Sequence, residues 1–477
     1  MKIYFDYVKK SNLMNIRTDN TDLFQNIRSH FSETVQGTEF STNGPFKSYA
    51  ITPLGKCYPG MFWEIRRYLR DAGIVTDISM SNALKDEILP NPDIRYNDSI
   101  EYTLTPRDYQ ATAIENAVNL GRGVIKLATG GGKTLITAAL VENYYKSMGS
   151  SDTFKCLIVV PDLGLVNQTY NEIVESGISA TCTRYTGKHK PDMNANVIIA
   201  NSGILHSRYK AGEWVDYIDL LLVDEVHKVK KGNKLTKIIK NIKTSNKYGL
   251  TGTLPEKMID VWGIMGLFGP VVYEKDSKSL RDEDYLSAVS VLMLDIHYKD
   301  EVIPGVAAND WLDEIAFISD HPFRNRVITQ MCNNTNNNIL VMVNNIDHGQ
   351  SLYDTLKINT NRQVFFVRGE VDVEERDRIK GIMEESNDVI CVAISAIFAT
   401  GINIKNIHTI IFAAGGKSFV RTVQAIGRGL RKHKTKTKLF LIDIVDRLFY
   451  GEQHSVKRCE TYLSEKIKYK IKEIFEP

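Results

Sequence analysis

Val124-Ile125-Lys126-Leu127-Ala128-Thr129-Gly130-Gly131-Gly132-Lys133-Thr134 is the stretch on which the fold turns. Val124 to Leu127 read as a short buried strand. Three glycines follow, and Lys133-Thr134 lead into an apolar helical segment, Leu135 to Tyr145. Strand, glycine loop and helix in that order are the setting of a phosphate-binding loop. Glycines let backbone N–H groups turn inward onto phosphate oxygens, and the helix N-terminus adds a partial positive charge. On this reading Leu127, Ala128, Thr129, Gly130, Gly131 and Gly132 surround the phosphates of ATP. Lys133 reaches the β- and γ-phosphates, and the Thr134 hydroxyl ligates Mg2+. The segment departs from the G-x-x-x-x-G-K-[ST] pattern at its first glycine, which is Leu127 here.

Downstream, Leu220-Leu221-Leu222-Val223-Asp224-Glu225-Val226-His227 ends an apolar strand in two acids. Asp224 at that place holds Mg2+ through water, and Glu225 orients and deprotonates the attacking water. Gln424-Ala425-Ile426-Gly427-Arg428-Gly429-Leu430-Arg431 puts Gln424, Arg428 and Arg431 on one helix face. Guanidinium groups spread over a transferring γ-phosphoryl group stabilise its charge, an effect of roughly 10³–10⁵ in rate.

The rest of the chain supports this frame. At roughly 100–200 residues per domain, 477 residues predict several domains. Apolar strand-like runs alternate with amphipathic stretches: Val124 to Leu127, Cys156 to Val160, Val197 to Ala200, Asp219 to Val223 and Tyr248 to Leu250. After a charged segment near 270 to 285, the alternation restarts at Ile339 to Val343, Val364 to Val367, Val389 to Ala393, Thr409 to Ala413 and Leu439 to Ile442. Such alternation predicts parallel sheets covered by helices. Residues 1–98 form a separate aromatic-rich zone, closed by a linker at Pro90, Pro92 and Asn97. Two domains are expected over 101–285 and 286–450. Residues 451–477, where Lys alternates with Ile, Tyr and Leu, are expected to be a terminal amphipathic helix. Within the first zone, the aromatics of Phe62-Trp63-Glu64-Ile65-Arg66-Arg67-Tyr68-Leu69-Arg70 are expected to pack in the core.

Composition excludes several classes. The six cysteines form no Cys-x-x-Cys pair, which argues against zinc sites and a disulfide framework and for a reducing compartment. No apolar run reaches the roughly 18 residues of a membrane span, and the start lacks a signal peptide's apolar core. A cytoplasmic location is expected, in the host cell if the gene is a phage's. The net charge of +3 says nothing about partners by itself.

Ala128 to Thr134, Asp224 to His227 and Gln424 to Arg431 resemble motifs I, II and VI of superfamily 2 helicases of the DExH type. Other motifs of that family follow in order. Arg107-Asp108-Tyr109-Gln110 is similar to the adenine-recognition element, with Asp108 where proline is common; it implies Arg107 and Gln110 as adenine contacts. Val160 to Gln168 resembles motif Ia, Ala200-Asn201-Ser202 sits where motif Ib belongs, and Leu250 to Thr253 corresponds to motif III. Val341 to Asn344, Arg368-Gly369-Glu370 and Thr400-Gly401-Ile402-Asn403 resemble motifs IV, IVa and V. The resemblance spans roughly 101 to 450. Residues 368–377, 398–408 and 427–433, with the small N-terminal domain, are most similar to a phage recombination and repair helicase.

That resemblance implies two tandem RecA-like, doubly wound parallel-sheet domains of α/β class after a small α+β domain. It implies ATP and Mg2+ as cofactors, and Gly401 as a further nucleotide contact. It implies single-stranded and branched DNA as partners, and unwinding and remodelling of branched DNA (forks, Holliday junctions, R-loops) with 3′-to-5′ polarity. A monomer is expected, with single-strand-binding or recombination proteins as possible partners and no membrane. Pro161, Asn201, Ser202, Thr251, Asn344, Arg368 and Thr400 are the candidate backbone contacts to DNA. Three alternatives stay open at this point: a phosphate-loop ATPase driving transport or protein remodelling, the motor of a restriction or nuclease assembly, and an RNA helicase.

Overall fold

The computed structural model describes residues 1–35, 45–208, 218–299, 311–369, 371, 373–395, 404–416 and 438–477. The chain divides into two compact units, Met1–Leu127 with Gly132–Lys275, and Ala128–Gly131 with Asp276–Pro477.

The first unit begins with strands β1 (Lys2–Val8), β2 (Leu13–Thr18), β3 (Ser32–Val35), β4 (Phe46–Tyr49), β5 (Lys56–Cys57) and β6 (Asp77–Met80). Four of them form a mixed sheet in the order β5-β2-β1-β6, and β3 and β4 pair separately. Alternation in β1 turns Ile3, Phe5 and Tyr7 inward, as period-two patterning requires. Helix Met61–Asp71 buries Phe62, Ile65 and Leu69 on the same core and leaves Arg66 and Arg70 exposed. The core packing expected of its aromatics therefore holds: Phe62 lies in the core, and half-buried Trp63 and Tyr68 pack against it.

Seven parallel strands follow: β7 (Gly123–Leu127), β8 (Cys156–Val160), β9 (Cys182–Tyr185), β10 (Val197–Asn201), β11 (Leu220–Asp224), β12 (Lys247–Thr251) and β13 (Val271–Lys275). Their order is β13-β7-β12-β11-β8-β10-β9. Every residue of β8 and β12 is buried, the mark of a sheet covered on both faces.

The N-terminal module shares its core with this domain. Trp262, from helix Met258–Phe268, lies in the module's apolar cluster with its ring edge-on to Phe31 at 5.4 Å. The Gly60 N–H donates to the Gly266 carbonyl at 2.8 Å, and a Cβ on Gly60 would stand 2.1 Å from the Met265 carbonyl oxygen. Arg122 is buried and donates to the Glu87 carboxylate (3.0 Å) and to the Leu267 and Phe268 carbonyls (2.8 and 2.9 Å). The segment read as a linker is also tied down: Asn143 accepts from the Asn97 N–H and donates to the Arg95 carbonyl, both at 3.0 Å.

The second unit holds another all-parallel sheet: β14 (Ala288–His297), β15 (Ile339–Val343), β16 (Gln363–Val367), β17 (Val389–Ile394), β18 (Thr409–Phe412), β19 (Lys438–Asp446) and β20 (Tyr469–Phe475), in the order β16-β17-β15-β18-β19-β14-β20. Two sheets of this kind are the tandem RecA-like arrangement of the α/β class, preceded by a small α+β module.

The C-terminus corrects one expectation. The helix spans Phe449–Ser464, and Tyr469–Phe475 is the edge strand β20, parallel to β14. The physical reason is period: Tyr469-Lys470-Ile471-Lys472 alternates every second residue, which suits a strand, and Lys466 adopts a left-handed φ of 53° just before it. Among the described residues, no helix is long and apolar enough to cross a membrane.

Candidate nucleotide-hydrolysis site

The carboxyl ends of the first parallel sheet gather the predicted residues, as open α/β sheets place their ligands. Leu127 ends β7 and opens the glycine loop. Val160 ends β8, Asn201 ends β10, Asp224 ends β11 and Thr251 ends β12.

Gly130 (φ 86°) and Gly132 (φ 87°) occupy the left-handed region, the conformation that bends the loop and favours glycine. The Gly131 N–H donates to the Ala128 carbonyl at 3.0 Å, and Lys133 begins helix Lys133–Ser147, with Thr134 in its first turn. A Cβ on Gly132 would come within 2.2 Å of Gln110 Nε2 and displace the end of that side chain, while φ 87° itself favours glycine there. Gln110 is buried, and its Oε1 accepts from the Arg107 N–H at 2.9 Å. The loop and the segment Arg107 to Gln110 are thus packed against each other, an adjacency the sequence does not disclose. Arg107 also donates from Nη1 to the Tyr109 hydroxyl at 3.4 Å.

Asp224 and Glu225 meet the field of Lys133 with opposite outcomes. Burial, and next the Glu225 charge, raise the Asp224 carboxyl to about 6 against the pull of Lys133. Burial also acts to raise Glu225, but Lys133 and the hydrogen bond from His227 bring it down to about 2. Glu225 is therefore the ionised member of the pair at neutral pH, the form that can orient an attacking water and accept its proton. It sits at φ 51°, ψ 49°, a left-handed conformation unusual for a non-glycine residue. Strain of this kind, of order 1–3 kcal/mol, collects at functional sites. The Asp224 carboxylate accepts from the Glu225 N–H at 2.9 Å and helps to hold that conformation.

The surroundings fit a divalent cation. A carboxylate raised by burial and a neighbouring acid is relieved by a metal charge, and the Thr134 hydroxyl lies in the first turn after the glycine loop. In the metal-free, nucleotide-free protein the raised Asp224 has a stability consequence. A folded-state value above the ordinary 3.8 favours the protonated form, so folding is disfavoured progressively as pH rises from about 4 to 6. Asp224→Asn is expected to raise the melting temperature at pH 7, by of order 1–3 kcal/mol in stability, with the gain shrinking as pH falls toward 4. Scanning fluorimetry across that range checks it, and a variant less stable at pH 7 would refute it.

His227 carries the site toward β12. Its Nδ1 lies 3.1 Å from Glu225 Oε2 and 2.9 Å from Thr251 Oγ1. The Thr251 hydroxyl donates its proton to the Thr253 carbonyl at 2.7 Å, so Nδ1 must be the donor toward both oxygens. Thr251 is fully buried and its hydroxyl is committed inside this network. As a candidate DNA contact it therefore offers no free hydroxyl to a phosphate; it joins the two strand ends instead.

Pro161 and Ser202 adjoin, with the Ser202 hydroxyl 3.5 Å from the Pro161 carbonyl, and Asn201 Oδ1 accepts from the Ile204 N–H at 3.1 Å. In the second unit, Asn344 follows β15 and donates to the Ala414 carbonyl at 2.8 Å, while the Arg368 guanidinium lies 5.9 Å from the Phe366 ring centroid. Gln424, Arg428, Arg431, Thr400 and Gly401 lie outside the described residues.

Sequence spacing pointed to no metal-binding histidine, yet β14 and β20 bring Asp295, His297 and Glu473 to within 4.8 Å of one another. Both Asp295 oxygens accept from Arg447 Nε (2.8 and 2.7 Å), which neutralises that carboxylate. The described cysteines are all free thiols.

Residues 103–256 match the family described as "Type III restriction enzyme, res subunit", and residues 324–433 match "Helicase conserved C-terminal domain". A protein of Enterobacteria phage T4, "ATP-dependent DNA helicase uvsW", is 25% identical over 94% of this chain and 95% of its own length. "Putative ATP-dependent helicase IRC3" of Saccharomyces cerevisiae is 26% identical over 71% of this chain and 51% of its own. Among solved structures, a fragment of a putative HsdR subunit of a type I restriction enzyme from Vibrio vulnificus superposes with a TM-score of 0.59. Its identity is 18%, over 79% of this chain and 69% of that one, and it supports the fold alone.

Proposed function

We propose, from the premise that the chain is an ATP-dependent helicase of superfamily 2, that it unwinds and remodels branched DNA with 3′-to-5′ polarity. Forks, Holliday junctions and R-loops are the substrates, in recombination, repair and replication. The observation that carries the motor chemistry is the pair Asp224 and Glu225 at the end of β11, split in acidity within the field of Lys133. The similarity to a phage DNA helicase along nearly its whole length supports DNA as the track.

ATP binds through the glycine loop, whose backbone N–H groups face the phosphates, with Lys133 countering the charge of the outer two. Thr134 and Asp224 would hold Mg2+, which would supply charge neutralisation on those phosphates. Glu225 orients the attacking water. Arg428 and Arg431 stabilise the charge that develops on the transferred group, and Gln424 positions the same face. His227 reports the state of Glu225 to Thr251 and so to the end of β12. Pro161, Asn201, Ser202, Asn344, Arg368 and Thr400 supply backbone contacts to one DNA strand, whose grip shifts with each ATP cycle.

The test compares ATPase stimulation by single-stranded DNA, forked DNA, four-way junctions and RNA. Strongest stimulation by forks and junctions is expected. Equal or greater stimulation by RNA would replace this reading with an RNA helicase. The restriction-motor alternative has the family description of residues 103–256 in its favour; DNA cleavage by the purified chain in the same assay would establish it.

A further inference from the structure

Between residues 228 and 247 the chain carries eight lysines and no acidic residue, in a protein whose net charge is only +3. Three of the eight are engaged: Lys228 pairs with Asp162 at 2.8 Å, buried Lys247 donates to the Ile242 carbonyl at 2.8 Å, and Lys243 has a partner of its own. Lys230, Lys231, Lys234 and Lys237 are exposed, Lys240 is half-buried, and these five form no ion pair among the described residues. Some cations elsewhere in the same unit are paired, as in Lys126 with Glu274, Lys146 with Glu142 and Arg122 with Glu87.

The backbone holds this charge in one direction. Helix Lys234–Asn241 buries Leu235, Ile238 and Ile239, and Asn233 caps it by accepting from the Thr236 N–H at 2.9 Å. Lys234, Lys237 and Lys240, three residues apart, therefore lie along the outward side at roughly 4.5 Å per step. At its far end, Asn12 Nδ2 donates to the Lys240 carbonyl at 2.5 Å. Asn12 ends the tight β1–β2 turn at φ 53°, so exposed Lys9 and Lys10 of the N-terminal module extend the stripe.

We propose that this stripe is a second nucleic-acid surface, which grips the phosphate backbone of a duplex DNA arm while the strand-end loops hold the single strand. The proposal rests on the DNA reading above. The shape of the surface selects the ligand. Each strand of a duplex presents a phosphate about every 3.4 Å along its axis, so the helix alone spans two or three. No Phe, Tyr or Trp interrupts residues 228–247, so the stripe has no ring on which to stack an unpaired base. The helix's apolar side is consumed by the protein core, which leaves nothing to insert into a lipid surface.

The test replaces Lys230, Lys231, Lys234 and Lys237 together with glutamine, and separately with arginine. Binding to a fork and to a single-stranded oligonucleotide is measured across a salt series. For the fork, the slope of log K against log salt is expected to become shallower by about 3 to 4 units in the glutamine protein, about 0.9 per lysine lost. The arginine protein should retain the native slope. Single-strand binding and single-strand-stimulated ATPase should match the native protein in both. An unchanged fork slope, or an equal loss on single strands, overturns the proposal. So does lysine-dependent binding to phosphatidylserine vesicles with the fork slope intact. A native protein whose ATPase ignores DNA, but whose fork binding keeps the lysine-dependent slope, would sink the helicase reading and leave the stripe standing.

Discussion

Glu225→Gln is expected to bind ATP and DNA as the native protein does while turnover at saturating single-stranded DNA falls by about 10²–10⁴-fold. The replacement is nearly isosteric, and its amide oxygen still accepts from His227 Nδ1, so the left-handed turn and the link to Thr251 survive. What disappears is the charge that orients water next to Lys133. Lys133→Ala should stop turnover by a different route, through lost phosphate contact, with ATP affinity reduced and DNA binding intact. Steady-state ATPase and nucleotide-binding titrations separate the two; native turnover in Glu225→Gln would remove Glu225 from the reaction.

Arg431→Ala is the second large effect. ATP affinity should stay near native while hydrolysis falls by roughly 10³–10⁵-fold, because a guanidinium of this kind acts on charge that develops only as the γ-phosphoryl group leaves. Arg431→Lys should rescue little, since a point charge cannot span two phosphate oxygens as a planar fork does. Single-turnover hydrolysis with pre-bound ATP is the measurement, and an unchanged rate in Arg431→Ala would end the finger assignment.

The motor was legible because buried parallel strands read as unbroken apolar runs. All ten runs picked out by that signal are strands, from Gly123–Leu127 to Lys438–Asp446. In the two parallel sheets four strands escaped notice: β9, Cys182-Thr183-Arg184-Tyr185, is a half-buried edge, β13 is likewise only half-buried, β20 alternates lysine with apolar residues in a way first read as helical, and β14 was passed over although Val291-Leu292-Met293-Leu294 carries the signal. At the site, residue types announced Lys133, Asp224 and Glu225. Their geometry was hidden. Nothing in Asp-Glu-Val-His reveals that Glu225 is left-handed, or that the His227 proton faces both Glu225 and Thr251. Long-range packing was equally hidden, since Gln110 meets Gly132, and Trp262 meets Phe31, only once the chain has folded.

The seam around Trp262 and Gly60 has a mechanical meaning. A module joined to an engine by a loose tether can lag behind it; one that lends the engine a wall of its own interior cannot. Residues 1–98 must therefore move in step with the lobe that carries Lys133. Cutting the chain at that point would strip the cover from Trp262 and from the carbonyls of Met265 and Gly266, so a truncated protein would report a bared apolar wound before it reported any change in substrate choice.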